Sequence, residues 1–316
     1  MKIRKTISYL APVDFASIVF LLLLTALNVV FHARVSVWRE LVLVNAVTIA
    51  AIVLLAWLAE KHKTKLLVGI HRWYCYLFVI FVFKEIYLMV RPIHPTDYDQ
   101  IFIAIDYWFF GVHPTQWLFR FAHPVLTEIL QTAYFSYYVI FIVVGVEVYR
   151  RYPIEKFDHA AFLIVYGFYL SYLGYFLLPA VGPRFTLHEF SALERDLPGL
   201  FFTDFFRDII NAGESITKGH PNPVEIVQRD VFPSGHTQLT LVSTYLAFHY
   251  RIKSRWIVVF LATLLIIGTV YLRYHYVVDL AGGVLFFVIT IWTGNKLEVW
   301  WNIVTGRVNN VRHDTE

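Results

Sequence analysis

Charge is scarce in this sequence. Asp, Glu, Lys and Arg make up 16% of the 316 residues, while 58% are hydrophobic and 18% aromatic. Soluble domains carry about 25% charged residues, and a single soluble core of this length cannot hide such an apolar excess. A bilayer removes the difficulty, because apolar side chains there need not face inward. Cysteine is nearly missing. Cys75 is the only one, which excludes a disulfide framework within the chain and any multi-cysteine metal site. Glycine (15) and proline (12) are too few, and aromatics too many, for a collagen-like repeat or intrinsic disorder. A net charge of +4 is too small to point to nucleic acid. No internal repeat or low-complexity tract is present.

What the chain does have is long apolar runs. Crossing about 30 Å of hydrocarbon takes roughly 20 residues. Eight candidates stand at 13–32, 41–59, 73–90, 132–149, 159–179, 236–250, 256–273 and 276–295. The run at 236–250 is short, and only a few polar residues around His275 separate the last two. The first run is too late and too long for a cleaved signal, and no small-residue cleavage pattern follows it. The basic residues test this layout independently. With a cytoplasmic N-terminus, the inside segments hold Lys2, Arg4 and Lys5, then Lys61, Lys63, Lys65 and Arg72. Arg150, Arg151 and Lys156 follow, then Arg251, Lys253 and Arg255, and finally Lys296, Arg307 and Arg312. These are sixteen of the 27 Lys and Arg residues, packed into short segments as the positive-inside rule expects. The expectation is an all-α, polytopic membrane protein with about eight transmembrane helices and both termini cytoplasmic.

Two long stretches, 91–131 and 180–235, then fall outside. Within the first, Ile101, Phe102, Ile105, Trp108 and Phe109 form one helical stripe over 98–110, with Asp97 as N-cap and Gly111 as stop. Within the second, Phe201, Phe202, Phe205, Phe206, Ile209 and Ile210 do the same over 199–210, opposite Asp204, Arg207 and Asp208. Such stripes suit helices in the membrane interface, or equally a lid packed on protein.

Three polar strings share that outer face. Pro233-Ser234-Gly235-His236 opens the sixth span. A serine N-cap and a glycine at a helix start leave backbone N–H groups pointing outward, where the helix dipole favours a phosphate. His236 there is able to give a proton to a leaving oxygen, unless it is simply a histidine snorkelling to water. Arg273-Tyr-His275-Tyr-Val-Val-Asp279 precedes and enters the last span. His275 and Asp279 are four apart, so on a helix they share a face. The carboxylate then accepts from one ring nitrogen and leaves the other as a nucleophile, the alternative being a purely structural pair. Gly282 and Gly283, one turn on, permit close helix packing. In Leu178-Pro-Ala-Val-Gly-Pro-Arg184, an arginine fixed by Gly-Pro can clamp phosphate with its planar fork, or serve only as a juxtamembrane anchor.

These residues resemble the type 2 phosphatidic acid phosphatase superfamily, which includes the vanadium haloperoxidases. Its motifs are a Lys-x6-Arg-Pro, a Pro-Ser-Gly-His, and an arginine followed by His-x3-Asp. The resemblance runs from about residue 73 to 295, and it divides the chain into a two-span N-terminal extension (1–72) and a six-span catalytic core (73–316). It implies that His275 is the nucleophile that becomes a phosphohistidine, with Asp279 orienting it. His236 protonates the leaving alkoxide and later activates water or an acceptor alcohol. The backbone amides of Ser234 and Gly235, together with arginines, hold the phosphoryl oxygens, and neither metal nor other cofactor is implied. Two departures stand out. Thr269 occupies the third motif's arginine position, with Arg273 instead two before His275, where a regular helix points it away. The first motif is matched literally by Lys84-x6-Arg91-Pro92, but family spacing favours Gly182-Pro183-Arg184, with Leu177 at the lysine position. Lys84 stays a candidate beside Arg91, since a lysine within a span is functional by default, or else snorkels.

Asp106-x4-Gly111-Val-His-Pro114, the Gly-Pro-Arg form and the eight-span layout are similar to the inositol phosphorylceramide synthase branch. That branch moves a phospho-headgroup between lipids. The expected activity is hydrolysis of a lipid phosphoester at the non-cytoplasmic face, with transfer to a lipid alcohol as the alternative. The expected partners are a lipid phosphate or phospholipid and the bilayer. A transporter reading predicts charged residues spread near mid-membrane, whereas here they gather at one face.

Overall fold

The computed structural model describes residues 7–306, so Lys2, Arg4, Lys5, Arg307 and Arg312 lie outside the described residues. Among the described residues the regular elements are all helical. In chain order they begin with α1 (Pro12–Val30), α2 (Trp38–His62), α3 (Lys65–Ile93), α4 (Asp99–Phe110) and α5 (Pro114–Leu118). Next come α6 (Pro124–Phe135), α7 (Tyr137–Arg151), α8 (Ile154–Leu177), α9 (Pro183–Thr186) and α10 (Leu193–Asp196). The rest are α11 (Thr203–Gly213), α12 (Pro223–Ile226), α13 (Gly235–His249), α14 (Arg255–Tyr271) and α15 (Val277–Thr305).

Each of the eight apolar runs is helical, but fewer than eight helices are long enough to span. Among the described residues five are, namely α1, α2, α3, α8 and α15, and α6 with α7 make a sixth if taken as one span bent by 46°. The bend has a local cause. The Ser136 hydroxyl donates to the Ala133 carbonyl at 2.6 Å, and such back-bonding bends helices. Helices α13 and α14 have 15 and 17 residues. At 1.5 Å per residue they reach only about 22 and 25 Å, short of the roughly 30 Å of hydrocarbon. The chain is a polytopic all-α membrane protein.

Two compact units make up the chain. One comprises 1–93, 148–169 and 288–316, the other 94–147 and 170–287. In the first, apolar helices are tied by buried polar contacts. The Asp14 carboxylate caps α1 by accepting the Ala11 N–H at 2.7 Å, and it also meets His71 Nε2 and the Tyr74 hydroxyl at 2.8 Å each. Arg72 pairs with Asp158 at 2.6 Å. Trp301 donates its indole N–H to the Leu10 carbonyl at 3.1 Å.

In the second unit α6 packs on α11 and α14, and α13 packs on α14. Helix α4 ends at Gly111, whose φ of 67° is the left-handed stop its sequence announces. Its N-cap is Tyr98 rather than Asp97; Asp97 instead takes the Arg229 guanidinium at 3.2 and 3.3 Å. Helix α11 starts at Thr203, four residues later than its apolar stripe. Glu128 of α6 sets that start by accepting the N–H groups of Leu200, Phe201 and Phe202 and the Thr203 hydroxyl at 2.7–3.1 Å. The stripes are largely uncovered: Trp108, Phe109, Phe201 and Phe205 are all exposed, while Phe102 and Ile210 are buried.

Candidate active site

The second unit brings the three sequence strings together. After α14 the chain turns back on itself, and the Tyr274 and His275 N–H groups both donate to the Thr269 carbonyl, at 2.9 and 3.0 Å. Arg273 adopts φ 68° in this turn. His275 therefore precedes the last helix, which begins at Val277, and the shared helical face expected of His275 and Asp279 is not how they meet. Asp279 is the third residue of α15 and its Oδ2 accepts the Tyr276 N–H at 2.8 Å. That is half of a capping box, and it turns the carboxylate back towards the residue ahead of the helix. His275 Nδ1 stands 3.4 Å from the same oxygen.

The other ring nitrogen, Nε2, faces His236 Nδ1 at 3.5 Å. His236 is the second residue of α13, whose N-cap Ser234 accepts from the Thr237 N–H at 3.2 Å. The Gly235 and His236 N–H groups lie in the first turn, where no carbonyl of the helix can reach them. The Ser234 N–H is already used, donating to the Asp279 carbonyl at 3.0 Å. Of the two amides expected to face a phosphate, then, Gly235 keeps a free direction and Ser234 ties the His236 string to the Asp279 string. Packing enforces the tie: a Cβ on Gly283 would stand 2.8 Å from both the Ser234 carbonyl oxygen and Thr237 Cβ. Tyr134 stacks on His236 with ring centres 4.4 Å apart. His236 Nε2 is buried and makes no hydrogen bond within the protein.

Arg184 reaches the site from a third direction. Gly182, at φ 93°, turns the chain where a Cβ would crowd the Tyr274 carbonyl at 3.0 Å. The Arg184 N–H then donates to the Arg273 carbonyl at 3.1 Å. Its guanidinium lies over the Tyr274 ring at 4.8 Å, donates to Asn211 at 3.3 Å and pairs with Glu214. Burial pushes the Arg184 pKa down from its ordinary value. Burial also pushes His275 down to about 3, and the Arg184 charge adds to the shift. His275 is a neutral imidazole at neutral pH.

Two carboxylates that the motifs do not contain hold this arrangement. Asp99 accepts the Val181 and Gly182 N–H groups at 3.0 and 2.8 Å and the Tyr276 hydroxyl at 2.8 Å, joining the Arg184 turn to the His275 segment. Asp106 accepts the Val277 and Val278 N–H groups at 2.8 and 2.9 Å, capping α15. They are seven apart on α4 and so share a face. Burial holds both above the usual carboxylate range. Asp106 stood in a sequence string with no role attached, and Asp99 had no signal beyond an acid in a first helical turn.

The remaining basic candidates are placed otherwise. The Arg273 side chain is buried, pairs with Asp196 at 3.0 Å and lies over Phe119 at 5.1 Å, so its backbone carbonyl is what it gives to Arg184. Lys84 and Arg91 belong to α3, in the first unit, on its exposed face.

A neutral imidazole facing a second histidine, a carboxylate near its far nitrogen, and a buried arginine whose backbone joins the turn before His275 are group types that can act on a phosphoryl group. The model of the PAP2 superfamily matches residues 100–293, and the chain belongs to that superfamily. Membership supports a phosphatase or phosphotransferase type of activity. No curated protein and no solved structure matches the chain.

Proposed function

We propose that the protein cleaves a lipid phosphoester through a phosphohistidine at His275. The observation that carries this reading is the orientation of His275, with Nδ1 3.4 Å from Asp279 and Nε2 3.5 Å from His236. Nε2 attacks phosphorus, a P–N bond forms and the P–O bond to the lipid alkoxide breaks. Protonated His236 gives its proton to the departing oxygen. Asp279 stabilises the positive charge that develops on the His275 ring. The Arg184 guanidinium and the Gly235 and His236 N–H groups offer donors to the phosphoryl oxygens, in the way helix N-termini hold anions. Arg273, Lys84 and Arg91 are secondary phosphate candidates, the first already engaged by Asp196.

In the second step His236 takes a proton from the attacking hydroxyl and the P–N bond breaks. If that hydroxyl is water, the enzyme is a lipid phosphatase, which is the reading preferred here. If it belongs to a lipid alcohol, the enzyme is a phosphotransferase like inositol phosphorylceramide synthase, and the resemblance of Asp106-x4-Gly111-Val-His-Pro114 to that branch favours this second reading. The site faces the non-cytoplasmic side, given the basic residues between spans, and needs no metal.

The test is incubation of the purified protein with phosphatidate, polyprenyl diphosphate and phosphatidylinositol, each with and without ceramide, in chelator. Release of free phosphate supports the phosphatase, and a new phospholipid formed only with ceramide supports the transferase. Turnover that needs an added divalent metal contradicts the chemistry.

A further inference from the structure

Outside the phosphoryl centre, the first unit buries an acid among amides. Glu85 on α3 accepts the Asn45 side-chain N–H of α2 at 2.8 Å, and Asn28 Nδ2 of α1 lies 3.4 Å from the same oxygen. Asn28 also donates to the Leu24 carbonyl at 3.0 Å. Asn28 and Asn45 are 0% exposed and Glu85 4%. Asn28 Nδ2 also lies 3.4 Å from the Met89 sulfur, so both of its N–H groups and one of the two on Asn45 have acceptors within the protein. Left over are the second carboxylate oxygen Oε2, Asn28 Oδ1 and Asn45 Oδ1, all buried and all without a hydrogen bond in the protein. Thr25 Oγ1, one turn before Asn28 on the same face of α1, is buried and unpartnered as well.

Counting donors against acceptors decides what such a cluster takes. Four buried oxygens lack a hydrogen bond, and the Thr25 hydroxyl and the second Asn45 N–H are the only protein donors left among these residues; each unmet oxygen costs about what a lost hydrogen bond costs. A proton on Glu85 serves one of them, whereas a cation serves every oxygen that reaches it. Oxygen-only donors suit a hard cation. One carboxylate neutralises one charge, and a divalent ion would leave net positive charge among apolar helices. An acid inside a span is also a functional candidate by default. We infer that Glu85, Asn28, Asn45 and Thr25 form an intramembrane site for a hard monovalent cation that joins α1, α2 and α3. These residues precede 100–293, which the family match covers, and the phosphoryl chemistry does not use them.

The test is thermal unfolding of the full chain in detergent, with sodium chloride titrated against choline chloride at constant ionic strength. A ligand bound only by the folded state raises the midpoint with the logarithm of its concentration. The wild type is expected to show this rise with sodium, with a weaker response to potassium, and Glu85→Gln is expected to show none. Thr25→Val removes one ligand without touching the acid, and it is expected to raise the half-effective sodium concentration about tenfold, as loss of about 1.4 kcal/mol would. Midpoints equal in sodium and choline overturn the site and leave Glu85 a protonated acid among amides. A sodium response that survives unchanged in Glu85→Gln overturns it too.

Discussion

Gly283→Ala tests how tightly the strings that carry His236 and His275 are held together. The added Cβ would lie 2.8 Å from the Ser234 carbonyl oxygen and 2.8 Å from Thr237 Cβ, where ordinary contact begins at 3.4 Å. Helices α13 and α15 must therefore separate locally by about 0.6 Å, and backbone on the α13 side cannot swing away as a side-chain tip could. Overpacking of this kind costs about 1–3 kcal/mol. The same movement stretches the Ser234 N–H to Asp279 carbonyl bond and carries His236 away from His275. A misplacement of about 1 Å in a catalytic geometry costs on the order of 10²-fold, so a loss in kcat of about tenfold is expected, with KM little changed. Thermal unfolding in detergent reads the first effect and initial rates on the preferred lipid read the second. Gly69→Ala is the control, because nothing lies within 4 Å of its Cβ and a helical Gly→Ala gains about 0.5–1 kcal/mol. If Gly283→Ala unfolds and turns over like wild type, the close approach does not position the site.

Asp106→Ala removes the acceptor of the Val277 and Val278 N–H groups, each loss worth about 1–3 kcal/mol when the donor stays buried, less what is regained by not burying a carboxylate. A lowered midpoint and a fall in kcat larger than any change in KM are expected, with Asp106→Asn intermediate; an effect on KM alone argues against a positioning role. For pH, His275 at about 3 and His188 pushed down to about 4 by burial both lie below the ordinary value near 6.5. The unfolded chain binds more protons between those values, so both groups give stability that is full above about pH 6.5 and is lost as pH falls towards 4 and then 3. The unfolding midpoint should drop over that window and drop less in His188→Gln; a variant that follows the wild-type curve contradicts the assignment for His188. With His275 as the proposed nucleophile, its protonation should not limit kcat/KM above about pH 4.

Much of this was legible in the sequence for physical reasons. Apolar runs of bilayer length must be helical because lipid offers the backbone no hydrogen bonds, and each of the eight runs is helical, though 132–149 is broken at Ser136 and 236–250 falls short of a span. The Pro-Ser-Gly-His string read correctly as an N-cap, since Ser234 bonds the Thr237 N–H locally. The His275–Asp279 pair was found by a helical rule that does not apply there; a capping carboxylate reaching backwards brings the two together instead. Nonlocal partners were not legible. Glu128 sets the start of α11 from across the unit, and Asp99 and Asp106 hold segments far from them in sequence. Periodicity carries no trace of such contacts. The literal Lys84–Arg91 match lies on α3, in the unit that does not hold the histidines.

The most direct test is to trap the covalent intermediate. The protein is mixed with phosphatidate labelled on phosphorus, quenched in alkali, where a phosphohistidine survives, and mapped by peptide. Label on His275, abolished by His275→Ala and lost on acid treatment, is the predicted result. Turnover without label, or label that persists in His275→Ala, would contradict the account.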